Sequence, residues 1–359
     1  MQKSIFISAG DFSGDILAGR LAAKFIENGW SAVGIGGEKM ASSGVKLIEN
    51  IISKSTIGFI EPLKNIPFFL HLLRKLKKYI KKNKPTAAVV VDFWGFHSLL
   101  IKVLASEGVP VYYYVSPQLW ASRPGRAKKI KKFVKKVFTV FPFEEEFYRK
   151  RRIAAVFVGH PLTDVLPEAC YKPASDIFGI LPGSRPSEVA RHLPLLIRIS
   201  EILKKEFRFR FVCFKAPSLN ASFYTDIPAF WELIEDEDYT ERKKLKFAIC
   251  SSGTATFENA LLGIPMAIIY KTSHLSYFIA KKLVKTNFIG MPNILLKEEV
   301  VPEFIQNRAE ADIILPVLEN MLKENNLARV SEKLMTIRKI LEKKKAETTV
   351  FNEISGETR

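Results

Sequence analysis

Short unbroken apolar runs recur along the chain, at residues 4–8, 32–35, 87–91, 109–115, 137–140, 156–158, 211–214, 247–250 and 266–270, with another opening at Ile177. Runs of three to seven residues without polar alternation suit strands buried on both faces, as in a parallel sheet. Between them the spacing turns helical. Ile16, Leu17, Leu21, Phe25 and Ile26 make one stripe over residues 16–28, and Phe69, Leu72, Leu73, Leu76 and Ile80 make another over 66–82. Strand, glycine loop and helix repeat in that order, which predicts a doubly wound α/β chain. Prolines and a change of charge coincide at 162–173, so the 359 residues divide there into two domains.

The chemistry sits in the loops that leave the strands. Residues 247–270 read strand, glycine turn, short helix, glycine stop, strand. Gly253 permits the turn, Thr254 can cap the helix, and Gly263 with Pro265 ends it. A helix starting at a strand's carboxyl end points free N–H groups at anions, which makes Gly253, Thr254 and Ala255 candidate contacts. Glu258, one turn in, is placed for a ribose hydroxyl pair; an ordinary βαβ unit with a surface glutamate reads equally well. Residues 177–189 repeat the pattern, with Ser184 and Arg185 at the helix start, where a guanidinium suits a phosphate. Neither loop is a Walker sequence or a G-x-G-x-x-G. The first loop holds Asp11, Ser13, Gly14 and Asp15, as ligand contacts or as turn and cap residues. Asp92 ends the run at 87–91, as a general base or a helix cap. His160 is a weak candidate, and Asn293 is a turn residue or a nucleotide contact.

Charge sharpens the picture. The net charge is +18, and residues 1–160 carry 27 Lys and Arg against 11 Asp and Glu. Such a field attracts nucleic acid, anionic lipid or a phosphorylated substrate. The 66–82 helix bears Arg74, Lys75, Lys77, Lys78, Lys81 and Lys82. With Phe59, Ile60, Phe68, Phe69, Leu72, Leu73 and Leu76 it has the makings of a membrane-surface helix, or of a core-packed helix with a solvated basic face. Cys170, Cys213 and Cys250 lie far apart and fit a reducing compartment. The apolar start of the chain is too short for a signal peptide, no apolar run approaches a membrane span, and no metal cluster stands out.

The motifs taken together resemble a known family. They are Ala9-Gly-Asp-Phe-Ser-Gly-Asp15, Gly36-Gly-Glu-Lys-Met40, Tyr114-Val-Ser-Pro-Gln-Leu-Trp-Ala121, Pro142-Phe-Glu144, Val158-Gly-His-Pro161, Leu181-Pro-Gly-Ser-Arg185, Ser252-Gly-Thr-Ala-Thr-Phe-Glu258, and Leu283-Val-Lys-Thr286 with Pro292-Asn-Ile-Leu295. In this order they are similar to the lipid-A-disaccharide synthases, inverting GT-B glycosyltransferases. The resemblance implies two Rossmann-like domains facing across a cleft: 1–163 for acceptor and membrane, 164–325 for UDP-sugar, and C-terminal helices at 326–359 returning to the first. It implies transfer of 2,3-diacylglucosamine from UDP to the 6-hydroxyl of 2,3-diacylglucosamine 1-phosphate, giving a β-1,6 disaccharide 1-phosphate and UDP. It implies no cofactor or metal, a peripheral position on the cytoplasmic face of the bacterial inner membrane, no nucleic acid, and a homodimer as a possible assembly. Asp92 would be the base and Arg185 would neutralise the departing diphosphate.

The chain departs from the family pattern in two places. Asp11 stands where glutamate is usual, and Asp-x-Pro-Asp-Phe-Asn appears as Asp92-Phe-Trp-Gly-Phe-His97, which puts acyl preference in question more than the reaction. The rival readings are another UDP-sugar GT-B enzyme, of the peptidoglycan N-acetylglucosaminyl transferase or UDP-sugar epimerase kind, and a basic membrane- or nucleic-acid-binding protein without chemistry. The last leaves Asp92, Arg185 and Glu258 unexplained and has no recognisable nucleic-acid fold.

Overall fold

A computed structural model describes residues 2–52, 66–121, 124–169, 171, 176–273, 277–278, 286–342 and 345–358. The chain forms two compact units, one of residues 1–161 with 341–359, the other of 162–340.

The described residues of the first unit form seven strands: β1 (Ser4–Ala9), β2 (Ser31–Gly36), β3 (Lys46–Asn50), β4 (Ala87–Val91), β5 (Val111–Tyr114), β6 (Lys136–Thr139) and β7 (Ala155–Phe157). Every pairing is parallel, in the order β3-β2-β1-β4-β5-β6-β7. The order reverses between β1 and β4, where connections depart to opposite sides and leave a crevice at the strands' carboxyl ends. Helices cover both faces, because strands such as Ala87–Val91, buried at every position, need apolar cover on each side.

The helix Ile66–Asn83 uses its apolar stripe inside this unit. Leu72 is 1% exposed and Leu76 and Ile80 are 0% exposed, in one core with Phe96, Leu100 and Leu104. Phe68, Phe69 and Leu73 pack against that core from its edge, and the Phe69 ring lies 5.2 Å from that of Phe96. Leu72 and Leu76 therefore make no lipid contact, because the sheet face beneath takes them. The cations Arg74, Lys75, Lys77, Lys78, Lys81 and Lys82 form the exposed side. Phe59 and Ile60 lie outside the described residues.

The described residues of the second unit form six strands: β8 (Ile177–Leu181), β9 (Arg210–Phe214), β10 (Trp231–Ile234), β11 (Phe247–Ser251), β12 (Met266–Tyr270) and β13 (Glu303–Ile305). They are again all parallel, in the order β10-β9-β8-β11-β12-β13, with the reversal between β8 and β11. The rings of Phe178, Phe211 and Phe247 meet in its core. Cys213 and Cys250 are buried free thiols, pushed up by burial to about 12 and hence chemically inert. Among the described residues no helix is long and apolar enough to cross a membrane.

The return to the first unit begins at Leu341 rather than at 326. Helix Glu324–Leu341 stays with the second unit, where Leu327 is part of the core and Arg338 donates to the Leu166 carbonyl at 3.1 Å. Helix Ala346–Glu357 packs on Phe12–Glu27 of the first unit, with Phe351 edge-on to Phe25 at 5.2 Å. Its end is held by charge. Glu357 pairs with Lys136, with Lys135 at 2.8 Å, and accepts from the Tyr112 hydroxyl at 3.0 Å. Burial alone would raise this carboxyl, but those donors outweigh it and bring it down to about 2. A depressed carboxylate stabilises the fold above its unfolded pKa and loses that contribution as pH falls through the folded value. Glu357→Gln is therefore expected to lower the melting temperature by a few degrees at pH 7. At such solvent exposure the pair contributes no more than about 1 kcal/mol. Melts from pH 7 down to pH 2 should show the variant and the parent converging below about pH 4.5.

Candidate active site

Ala9 and Val91 are paired neighbours at the carboxyl ends of β1 and β4, so the loops carrying Asp11 and Asp92 open side by side at the reversal. Asp92 and Phe93 both take left-handed backbone, with φ of 46° and 48°. Two consecutive non-glycine residues in that region are costly, about 1–3 kcal/mol each. They swing the chain from β4 into helix Trp94–Ser106. The Phe93 ring lies directly over Gly10, where a Cβ would come within 2.0 Å of it; only glycine fits there. The Asp92 carboxyl is raised to about 6, first by burial and then by the negative Asp11, against a backbone hydrogen bond at Phe93. It is ionised at neutral pH yet basic enough to take a proton.

The other first-loop residues divide. Asp11 caps the helix Phe12–Glu27 by accepting from Gly14 N at 2.7 Å, and a Cβ on Gly14 would stand 3.1 Å from that same carboxylate oxygen. Ser13 is exposed. Asp15 is not a ligand contact. It is 2% exposed and accepts from the backbone N–H groups of Gly37 at 2.6 Å, Lys39 at 3.0 Å and Met40 at 3.4 Å. It therefore fastens the turn after β2 to the first turn of the helix Phe12–Glu27. His160 lies against Phe141 at 5.2 Å and is held neutral, its pKa lowered by burial to about 3.

Two features of this unit escape sequence reading. Glu144 is buried; it accepts from Trp120 Nε1 at 3.0 Å and from the N–H groups of Phe141 and Val140 at 3.2 and 3.3 Å. Two motifs distant in sequence, at 114–121 and 142–144, are thus one assembly. Burial nevertheless raises the Glu144 carboxyl to about 7. The second feature is a cationic cluster. Trp94 stacks on Tyr113 at 6.4 Å, and Arg126 and Lys129 lie 5.5 and 5.8 Å from the Trp94 ring centroid. Burial and repulsion from Lys102 and Arg126 lower the Lys129 pKa.

In the second unit the reversal brings together the loops after β8 and β11. Gly183 has φ of 130°, which favours glycine. Glu188 reaches back over this turn, accepting from Ser184 N at 3.2 Å and pairing with Arg185 Nη1 at 2.9 Å. Arg185 precedes helix Pro186–Glu206 and its side chain is 54% exposed, open to a ligand. His192 ties the loop across the sheet: its Nδ1 donates to Pro182 O at 2.7 Å and its Nε2 accepts from Lys271 N at 2.9 Å.

The helix after β11 is Thr254–Leu261, and its cap position is Gly253 rather than Thr254. Gly253 and Thr254 are exposed and Ala255 is half-buried. Glu258 is gripped from behind, by Arg242 Nη1 at 2.6 Å and the Tyr239 hydroxyl at 3.0 Å. Arg242 is itself set by Asp236, whose carboxylate accepts from the N–H groups of Glu241 and Arg242 at 2.9 and 2.7 Å. Four consecutive acids at 235–238 have the composition of a solvated loop, yet Asp236 among them builds the support for Glu258. Asn293 is not a nucleotide contact. It is 0% exposed, and its amide bonds Val301 O and Glu303, while Val300 N and Val301 N donate to its oxygen, all within 3.0 Å. Nothing is left over for a ligand. Among the described residues no group of three or more His, Cys, Asp or Glu side chains is arranged to hold a metal ion.

The strand order, the reversals and the loops match known proteins at two levels. The fold is that of a UDP-GlcNAc 2-epimerase from Neisseria meningitidis, solved with UDP-GlcNAc (TM-score 0.67, 12% identity, covering 99% of this chain and 100% of that one). It is also that of the glycosyltransferase of kitacinnamycin (TM-score 0.68, 11% identity, 100% of both chains). These likenesses establish two Rossmann-like domains of GT-B architecture. In sequence, the chain is 34% identical to the lipid-A-disaccharide synthase of Geobacter metallireducens over 92% of this chain and 93% of that one. It is 33% identical to that of Coxiella burnetii over 90% of each. Residues 5–354 match the family model described as lipid-A-disaccharide synthetase. The chain belongs to the lipid-A-disaccharide synthetase family, glycosyltransferases of lipid A biosynthesis.

Proposed function

We propose that the protein transfers 2,3-diacylglucosamine from its UDP derivative to the 6-hydroxyl of 2,3-diacylglucosamine 1-phosphate with inversion, giving the β-1,6 disaccharide 1-phosphate and UDP. The observation that carries this reading is Asp92, a carboxylate of raised pKa at the carboxyl end of β4. It takes the proton of the acceptor hydroxyl. The oxygen then attacks the anomeric carbon on the face opposite the diphosphate, the bond from that carbon to the diphosphate oxygen breaks, and UDP departs with the bonding pair. Arg185 and the N–H groups opening the helices Pro186–Glu206 and Thr254–Leu261 neutralise the leaving group without a metal. Glu258, aimed by Arg242 and Tyr239, accepts from the ribose hydroxyls. The cations Arg126 and Lys129 beside Trp94, with Lys102 close enough to repel Lys129, suit an acceptor that carries a phosphate. Phe12, 44% exposed beside Asp11, suits acyl chains. The basic face of the helix Ile66–Asn83 suits an anionic bilayer surface, the cytoplasmic face of the inner membrane.

Purified protein in mild detergent with both acylated substrates and EDTA is expected to release disaccharide and UDP in equal amounts; UDP without disaccharide would reject the acceptor assignment. Asp92→Asn should cost about 10²–10⁴ in kcat. Since only the carboxylate is active, kcat/KM in the parent should rise with pH through an inflection near 6 and level off above it. Lys129→Glu should raise KM for the phosphorylated acceptor by about tenfold, the worth of one charge-assisted contact. KM for the UDP donor should stay unchanged, as measured by initial rates with each substrate varied in turn.

A further inference from the structure

The left-handed backbone of Asp92 is held by two bonds to its own carbonyl oxygen. His97 Nδ1 lies 2.6 Å from that oxygen and the Tyr113 hydroxyl lies 2.5 Å from it. A carbonyl oxygen can only accept, so both partners donate. The proton of the imidazole is thereby placed on Nδ1, and Nε2 is left as an acceptor. Nε2 is filled from the other side by the Ser8 hydroxyl at 2.7 Å. His97 is 0% exposed; both nitrogens are used, and neither can meet a substrate. Burial lowers the His97 pKa to about 4 and raises that of Tyr113 well above the ordinary tyrosine value. Both groups therefore stay neutral and keep these donated protons throughout the neutral range.

The three side chains come from three different elements. Ser8 is on β1, Tyr113 on β5, and His97 on the helix Trp94–Ser106. Strands β1 and β5 flank β4 on either side, so the carbonyl at the end of β4 is fixed from both of its neighbours. Fixing that oxygen fixes the peptide plane between Asp92 and Phe93. With it goes the torsion that decides where the Cβ of Asp92 points. A glycine would take this conformation unaided, whereas an aspartate keeps it only where the surroundings over-determine it. On the reading of Asp92 as the base, we propose that His97, Ser8 and Tyr113 are positioning residues: they lock the Asp92–Phe93 peptide in its left-handed form and so aim the carboxylate at the acceptor hydroxyl. The lock acts through the backbone of Asp92, and none of the three side chains bonds its carboxylate oxygens in the contacts described.

The test compares His97→Ala, His97→Asn, Tyr113→Phe and Ser8→Ala with the parent by kcat, KM, the acid limb of kcat/KM and melting temperature. Loss of a donor lets the carboxylate drift, and a drift of an ångström costs about a hundredfold in rate. His97→Ala is expected to lower kcat by about tenfold to a hundredfold, with KM for both substrates within about threefold and the acid inflection displaced. Tyr113→Phe and Ser8→Ala, which delete one oxygen each, should lower kcat in the same sense by a smaller factor. His97→Asn restores one N–H near the carbonyl and should recover about tenfold over His97→Ala. A parent-like kcat and acid inflection in both His97→Ala and Tyr113→Phe would overturn the proposal. So would His97→Asn no faster than His97→Ala at equal melting temperature. If His97→Ala does not fold, Tyr113→Phe and Ser8→Ala decide in the same way. A parent protein that turns over no acylated substrate would count against the proposed function alone. In that event the ¹³C-carboxyl titration of Asp92, assigned by difference with Asp92→Asn, tests the lock. Its midpoint must move in Tyr113→Phe if the lock exists, and an unmoved midpoint rejects it.

Discussion

In a parallel sheet every strand delivers its carboxyl end to the same edge, and the structure depends on that constraint twice. Among the described residues, thirteen strands in two sheets all run this way, so every loop that leaves one of them gathers on one edge of its sheet. The reversal of strand order then chooses which loops become neighbours. Between β1 and β4 it sets Asp11 beside Asp92. Between β8 and β11 it sets Arg185 near the start of the helix Thr254–Leu261. No residue in these loops has to seek its partner; the hydrogen-bonded register of the strands has already brought the two chain segments together.

Burial then decides what the carboxylates can do. Asp15, Glu144, Glu303 and Asp92 all sit in poorly solvated places, and their surroundings separate them. Asp15 and Glu303 accept backbone N–H groups and serve as fasteners. Glu144 is filled by an indole and two amides. Asp92, raised by burial and then by the neighbouring Asp11, differs from these in its place, at the carboxyl end of β4, where ligands bind in such sheets and a base would stand. Glu258 is a third kind, with an ion pair behind it that fixes its direction.

Much of this is legible in the sequence. Unbroken apolar runs reveal the inner strands because those strands are buried on both faces. The strands that escape are β3, β10 and β13, all at sheet edges: Lys46, Glu49 and Glu232 reach solvent and break the first two runs, and β13 is three residues long and opens on the buried Glu303. The loops that carry Asp92, Arg185 and Glu258 are legible from the glycine turns that follow strands. Side-chain partners are not. Asp15 and Asn293 look like ligand groups because short polar residues in loops do both jobs. What separates the jobs is a contact with residues 22–25 positions away for Asp15 and with the turn before β13 for Asn293. Leu72 and Leu76 satisfy the pattern of a membrane helix and of a core helix equally; only the sheet beneath them distinguishes the two.

The helix Ala346–Glu357 gives the first domain a discontinuous chain, with the whole second domain inserted ahead of its last piece. During synthesis, β1 to β7 emerge from the ribosome first, yet Phe25 and the groove over the helix Phe12–Glu27 wait for a partner that lies nearly two hundred residues beyond the end of β7. At ordinary translation rates that is a wait of roughly 10–40 s, the time in which the second domain is made. The first domain to be made is therefore the last to be completed, and a nascent chain cut short of Leu341 leaves an open apolar seam for chaperones to guard.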